Sequence, residues 1–180
     1  MLFRSNEFSS FARLPETQKR IEDVNDIIVE AVNLFKSAHE AIEFKLSLDS
    51  EIPKLYLDRS QIKRVLINLF DNSVAAMEFR GTITVKTEIE RASSVVYLHV
   101  MDEGCGIDPE SLDQLFEPYF STKKDGTGLG LAIVQRIVMD HGGVVRAKPQ
   151  EPRGTRFTLE FPDTIQVQDK TKDEIGRAHV

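Results

Sequence analysis

Cysteine occurs once in the 180 residues, as Cys105. A single thiol excludes an internal disulfide and fits a reducing compartment. No run approaches the roughly 20 apolar residues that a membrane-spanning helix needs. With no signal-peptide pattern visible either, this piece is expected to be soluble. A basic tract is also missing: the formal net charge is −6 and the sequence pI is about 5.3. An acidic chain without clustered Lys or Arg suits neither nucleic acid nor an anionic membrane, so neither is expected as a partner. Both familiar phosphate-loop templates are absent. There is no G-x-x-x-x-G-K-[ST], and Leu131 stands where G-x-G-x-x-G/A, counted from Gly126 and Gly128, requires a small residue.

What is present suffices for a core. Hydrophobic residues make up 41% and charged residues 29%, the balance of one globular domain with at most a fragment of another. The end segments "LFRS" (Leu2 to Ser5) and "IGRAHV" (Ile175 to Val180) look like translated sequencing adaptors, so both are expected to be artefactual and are set aside.

Periodicity orders the rest. Phe8, Phe11 and Ala12 stand at helical spacing before Pro15, which reads as the last turns of a helix. Ile27, Ile28, Ala31, Leu34, Phe35 and Ala38 mark a helix over 25–39, and "IEFKLSL" (42–48) alternates like a half-buried strand. The strongest helical pattern covers about 58–79, with Asp58 and Ser60 as candidate caps. Two strands follow, over 81–90 and 94–102, joined as a hairpin. A long loop then runs from Glu103 to about Gly126, and a helix from Thr127 to about Asp140 ends at Gly142 and Gly143. Strands "GVVRAKP" and "GTRFTLEFP" close the pattern, and the polar stretch after Pro162 is expected to be disordered. The implied fold is α/β, a two-layer sandwich with helices on one face of a mixed, mostly antiparallel sheet. A loop this long in a compact domain is usually functional, often a lid.

Four short motifs fall at the junctions. In "NLFDN", Asn68 and Asn72 lie four apart on one helix, at the border of the apolar stripe, and their amide oxygens are hard ligands suited to Mg²⁺. "DEGCG" (102–106) puts an aspartate at a strand end, able to accept from an exocyclic amine, followed by alternate glycines that permit close backbone approach. "LFEPYFSTK" (115–123) places Phe116 and Phe120 four apart and brings the positive charge of Lys123. "GTGLGLAIV" sets glycines at 126, 128 and 130 against a helix start, an arrangement that lets backbone N–H groups face one anion. Each alone is weakly specific, and a polar helix face or a simple turn would explain it. Their order and spacing together are not so easily explained.

In that order the motifs resemble the ATP-binding catalytic domain of sensor histidine kinases, within the superfamily of gyrase B, Hsp90 and MutL ATPases, a Bergerat-type fold with a long ATP lid. The resemblance covers about Asp26 to Pro162. It implies a catalytic ATP-binding domain over 17–162 and a tail over 163–180. "NEFSSFARLPE" resembles the end of the dimerisation and phosphoacceptor hairpin (6–16) in the nitrogen-regulation subgroup.

The resemblance also implies roles, with ATP and Mg²⁺ as the ligands. Asn72 would hold the metal and Asn68 would lie beside the phosphates. Asp102 would take the adenine amine, helped through water by Thr155. Gly104 and Gly106 would shape the adenine pocket, while Gly126, Thr127, Gly128 and Gly130 would line the phosphates. Lys123 would reach the γ-phosphate from the lid. Many family members carry a basic residue three positions after the metal asparagine; here it is Ala75, so that phosphate contact is absent or supplied from elsewhere. The ATPase branch has a glutamate four residues before the metal asparagine, and Asn68 cannot act as that base, which favours transfer to a protein nucleophile over hydrolysis.

Partners implied are the upstream phosphoacceptor domain, a response regulator receiver domain and a second copy in the full-length homodimer. The implied address of this domain is cytoplasmic, and anchoring of the parent protein in the bacterial inner membrane stays open. No histidine here fits the acceptor. His39 precedes Glu40 as the family's acceptor dipeptide would, but it follows Pro15; His99 and His141 read as structural and His179 lies in the suspect tail. An anti-sigma-type serine kinase and a degenerate ATP-binding interaction module share this fold and stay open as alternatives.

Overall fold

A computed structural model describes residues 15–121 and 126–163. The hairpin-end expectation for 6–14, the tail over 164–180 and Lys123 lie outside the described residues.

The chain enters through β1 (Arg20–Glu22) and turns into α1 (Val24–Lys36), whose first amides at Asn25 and Asp26 are capped by the Asp23 carboxylate. Strand β2 (Ile42–Ser47) and the short β3 (Leu55–Leu57) lead to α2 (Arg59–Ala76), capped by Asp58. Strands β4 (Gly81–Glu90) and β5 (Val95–Asp102) form the expected hairpin. A 3-10 turn at Pro109–Gln114 interrupts the long loop before α3 (Gly130–Asp140), β6 (Val144–Pro149) and β7 (Thr155–Pro162).

Five strands form one sheet in the order β2-β4-β5-β7-β6, with β2 parallel to β4 and every other pair antiparallel. The three helices supply one layer and the sheet the other, as expected. Alternation along β5 sets the inward series Val96, Leu98, Val100 and then Asp102, all buried. Period two therefore carries a carboxylate to the helix-facing side of the sheet, at its last position. On α2, Ile62, Val65, Leu66, Leu69 and Ser73 are wholly buried. Phe70 meets Phe35 and Phe44 edge to face, with ring centroids 5.4 and 5.0 Å apart. The inward Thr87 is satisfied by donating to Asn25 Oδ1 at 2.9 Å and accepting from the Asp49 amide at 3.0 Å.

Three details differ from the pattern-based expectation. Strands β1 and β3 pair antiparallel as a separate two-stranded ribbon, and three residues are too few for alternation to register. Helix α2 stops at Ala76, because Glu78 and Phe79 take positive φ angles of 54° and 66°. Helix α3 starts at Gly130, not Thr127, since Gly128 has φ 69° and cannot join a right-handed helix there.

Candidate nucleotide-binding site

A cavity of about 510 Å³ lies between α2, the end of β5 and the start of α3. Asn68 and Asn72 enter it from α2, Asp102 from β5, and Thr155 from the first position of β7. Gly106, Gly126, Thr127, Gly128 and Gly130 also border it. Gly104 is not on the lining. It sits beneath, so close to α2 that a Cβ there would stand 2.7 Å from the Ala76 Cβ and 2.9 Å from the Ala76 carbonyl oxygen. A second hollow of about 480 Å³ opens at the same strand end, bordered by Thr84, Met101 and Arg153, but holds neither asparagine nor any of the alternate glycines.

Asp102 anchors one end. Its Oδ1 accepts the amides of Gly104 at 2.9 Å and Thr155 at 3.2 Å, and its Oδ2 accepts the Ser73 hydroxyl at 3.0 Å. The residue is 3% exposed. An ionised carboxylate offers about four lone-pair sites, so the three donors fix its plane and leave Oδ2 with capacity for one more donor. Helical spacing alone gives no sign that Ser73 has this partner.

The opposite end is built for negative charge. Asp23 and Asp58 cap α1 and α2, but the N-cap of α3 is Leu129, with no side-chain cap. The first amides of a helix have no intrahelical acceptor, and here the helix dipole and those N–H groups start at the cavity wall. Across from them, Asn68 Nδ2 is buried with no hydrogen-bond partner among the described residues. Which end of an amide is nitrogen is an assignment. Either way, one polar atom facing this region lacks a partner, a state that a bound oxygen would relieve.

The two phenylalanines of "LFEPYFSTK" divide their work. Phe116 packs against the core, whereas Phe120 lines the cavity. Gly128 holds this loop in place: its carbonyl accepts the Tyr119 amide at 3.0 Å, and a Cβ on it would meet the Tyr119 carbonyl carbon at 2.5 Å. Two arginines escaped the sequence reading. Arg64 lines the cavity one turn before Asn68, and Arg153 Nε donates to the Gly104 carbonyl at 3.2 Å. The spacing of Arg64, Asn68 and Asn72, four residues each time, was the signal available for the first.

The fold is thus an α/β sandwich whose polar cavity opens between helices and strand ends. Residues 57–165 match the family described as histidine kinase-, DNA gyrase B-, and HSP90-like ATPase, and the chain belongs to that family. Sensor histidine kinase ZraS of Salmonella typhi is 38% identical over 149 residues, covering 82% of this chain and 32% of that protein. Nitrogen regulation protein NtrY of Azorhizobium caulinodans is 35% identical over 165 residues, covering 86% of this chain and 21% of its own length. The chain therefore spans about a third or less of these relatives. Among solved structures, the nucleotide-free catalytic domain of histidine kinase ThkA superposes with TM-score 0.72 at 34% identity, over 83% of this chain and 97% of that one. ThkA in complex with response regulator protein TrrA gives TM-score 0.76 at 28% identity, over 89% and 46%. The family expected from the four motifs is the family found. No helix among the described residues is long and apolar enough to cross a membrane.

Proposed function

We propose that this chain is the ATP-binding catalytic domain of a two-component sensor histidine kinase. It would bind Mg-ATP and present the γ-phosphate to a histidine on an upstream helical hairpin. The observation that carries this reading is the polarity of the cavity: a fixed carboxylate at one end, and an uncapped helix with an unsatisfied asparagine amide at the other.

Each residue has a task that its surroundings support. Asp102, oriented by Ser73, Gly104 and Thr155, accepts the adenine amine through Oδ2. A guanine would present a carbonyl there, and two acceptors repel. Asn68 turns its unpaired amide to a phosphate oxygen, and the first amides of α3 meet the same group. Asn72, one turn on, would hold Mg²⁺, since the oxygen of its amide suits a hard cation. When bound, Mg²⁺ would neutralise phosphate charge as the phosphoryl group leaves. The domain's own part is positioning and charge, which is most of what phosphoryl transfer asks of a protein.

No described histidine borders the cavity. His39 stacks on Phe35, His99 bonds Thr158 and Glu88, and His141 is buried against Asp58 and Ile137. The acceptor imidazole is therefore sought upstream. After transfer, a response regulator receiver domain is the partner to expect, since ThkA was solved with response regulator protein TrrA. Asn68 offers no carboxylate to activate water, which supports transfer over hydrolysis.

Calorimetric titration with ATP and GTP, with and without Mg²⁺, tests the binding half. ATP is expected to bind more tightly with Mg²⁺ and GTP at least about tenfold more weakly; Asn72→Ala should abolish the Mg²⁺ effect, and Asp102→Asn the preference for ATP. No ATP binding by the unaltered chain would overturn the reading. The transfer half is tested by mixing the chain with the parent protein's helical hairpin and labelled ATP. Acid-labile phosphate on the hairpin is expected; release of free phosphate alone would point to hydrolysis.

A further inference from the structure

We propose that Arg64 is the cation that receives the terminal phosphate, making the site read triphosphate against diphosphate. The inference rests on the reading above that the cavity holds ATP.

Order along α2 supports it. Arg64, Asn68 and Asn72 recur every four residues on one face and all line the cavity. Ser73 and Ala76, at the helix's C-terminal end, touch the two residues that define the base end, Asp102 and Gly104. From C- to N-terminus the helix thus presents the base anchor, then Asn72, then Asn68, then Arg64. At about 1.5 Å per residue, Arg64 stands roughly 13 Å along the axis from Ser73, the far end of an extended nucleoside triphosphate.

Charge supports it independently. Among the described residues lining the cavity, Arg64 is the sole cationic one, against the carboxylates of Asp71 and Asp102. A polyphosphate is strongly anionic, and a guanidinium on this wall attracts it. Its planar fork can meet two oxygens of one phosphate. Eleven residues separate Arg64 from Ala75, about three full turns, so both lie on nearly the same meridian of α2. Arg64 therefore shares the meridian of Ala75, three turns nearer the helix start. A charge at 75 would sit beside the base and inner phosphates; a charge at 64 lies beyond Asn68, where only the outermost phosphate extends.

The test is calorimetric affinity for ATP and for ADP in the unaltered chain, Arg64→Gln and Arg64→Lys, each checked for folding by circular dichroism. R64Q is expected to weaken ATP binding about 10- to 100-fold, the scale of a charge-assisted hydrogen-bonded pair, and to change ADP binding less than about twofold on the same basis. R64K, retaining charge without the fork, should fall between and keeps the question answerable if R64Q does not fold. Equal losses for ATP and ADP, or no loss for either, would overturn the assignment while leaving ATP binding intact. Failure of the unaltered chain to bind either nucleotide would instead remove the reading on which it rests.

Discussion

His141 Nε2, at the end of α3, accepts the backbone amide of Asp58 at 2.9 Å, while its Nδ1 lies 2.7 Å from the Ile137 carbonyl. A carbonyl can only accept, so the ring carries its proton on Nδ1 and is neutral. The Asp58 carboxylate meanwhile caps α2 and accepts the Gln18 amide at 2.8 Å. The incoming chain, the start of α2 and the end of α3 therefore meet at one point. Those two helices carry both asparagines and Gly130, the last of the alternate glycines, so this joint sets the spacing of the cavity walls.

Acid should loosen that joint. Burial pushes the His141 pKa below the ordinary imidazole value, with the Ile137 hydrogen bond opposing it only in part. Below about pH 6.5 the unfolded chain takes up a proton that the folded chain resists, so the unfolded state binds more protons and stability falls as pH drops. The contribution is complete above that pH and is lost on the way down to the folded-state value. His99 acts in the same direction, again through burial, with Glu88 opposing. Urea unfolding at pH 7.5, 6.5 and 5.5 should show the decline, and His141→Gln should shrink its slope without abolishing it. An unchanged slope in that variant would contradict the account. His141→Ala should cost about 1–3 kcal/mol at pH 7.5, the price of a buried amide left without an acceptor.

Removing the Ser73 hydroxyl should weaken both the fold and the site. Ser73 is wholly buried and its partner is a carboxylate, a bond worth about 1.5–3 kcal/mol. Ser73→Ala should lower the urea midpoint accordingly. With one of three fixed donors gone, Asp102 can rotate away from the base it holds on the proposed reading, so ATP affinity should fall while Mg²⁺ dependence persists. A variant with full stability and affinity would show that Gly104 and Thr155 suffice to hold the carboxylate.

Much of this was legible in the sequence, for reasons specific to each element. Long periodic segments declared themselves: α2 shows its buried stripe and β5 its alternation because burial repeats over many residues. Cavity-lining residues at backbone junctions were equally visible, since aspartate at a strand end and glycines before a helix have few other uses together. What could not be read depended on the third dimension. Ser73 looks like any small residue on an apolar face until the end of β5 is packed against it. Arg64 looks like a solvated charge until the cavity shows which way its face turns. Strands β1 and β3 exist through their mutual pairing, with too few residues to betray it. Gly128 was read as a phosphate-facing glycine; it also carries a contact with Tyr119 that no spacing reveals.

That contact makes Gly128→Ala informative. With φ at 69° the position already disfavours a side chain, by roughly 1–2 kcal/mol. The added Cβ would also stand 2.7 Å from the Phe120 carbonyl oxygen, so the loop must retreat. Hydrogen exchange at the Tyr119 amide, which donates to Gly128, should accelerate at least about tenfold, equivalent to the loss of roughly 1.4 kcal/mol. Exchange in the central strands β4 and β5 should hardly change. Uniform acceleration across the domain would mean that the glycine supports the whole fold rather than the loop.

Asn68 should behave opposite to most buried substitutions. Its Nδ2 lacks a hydrogen-bond partner among the described residues, and an unsatisfied buried amide costs about 1–3 kcal/mol. Alanine removes that group and is also the better helix former by roughly 0.6 kcal/mol. Against this stands the loss of a few apolar contacts by a half-buried side chain, so Asn68→Ala should leave the ligand-free protein as stable or up to about 1.5 kcal/mol more stable. On the proposed reading a phosphate oxygen is the amide's partner, so ATP affinity should drop at least about tenfold. Thermal melts with and without Mg-ATP read both effects at once: a higher midpoint alone, a smaller rise on adding nucleotide. A lower ligand-free midpoint would mean that the amide is already satisfied, by water for instance, and that its tension with the fold is absent. The predicted pairing of gained stability with lost affinity is what distinguishes a residue retained for its ligand from one retained for packing.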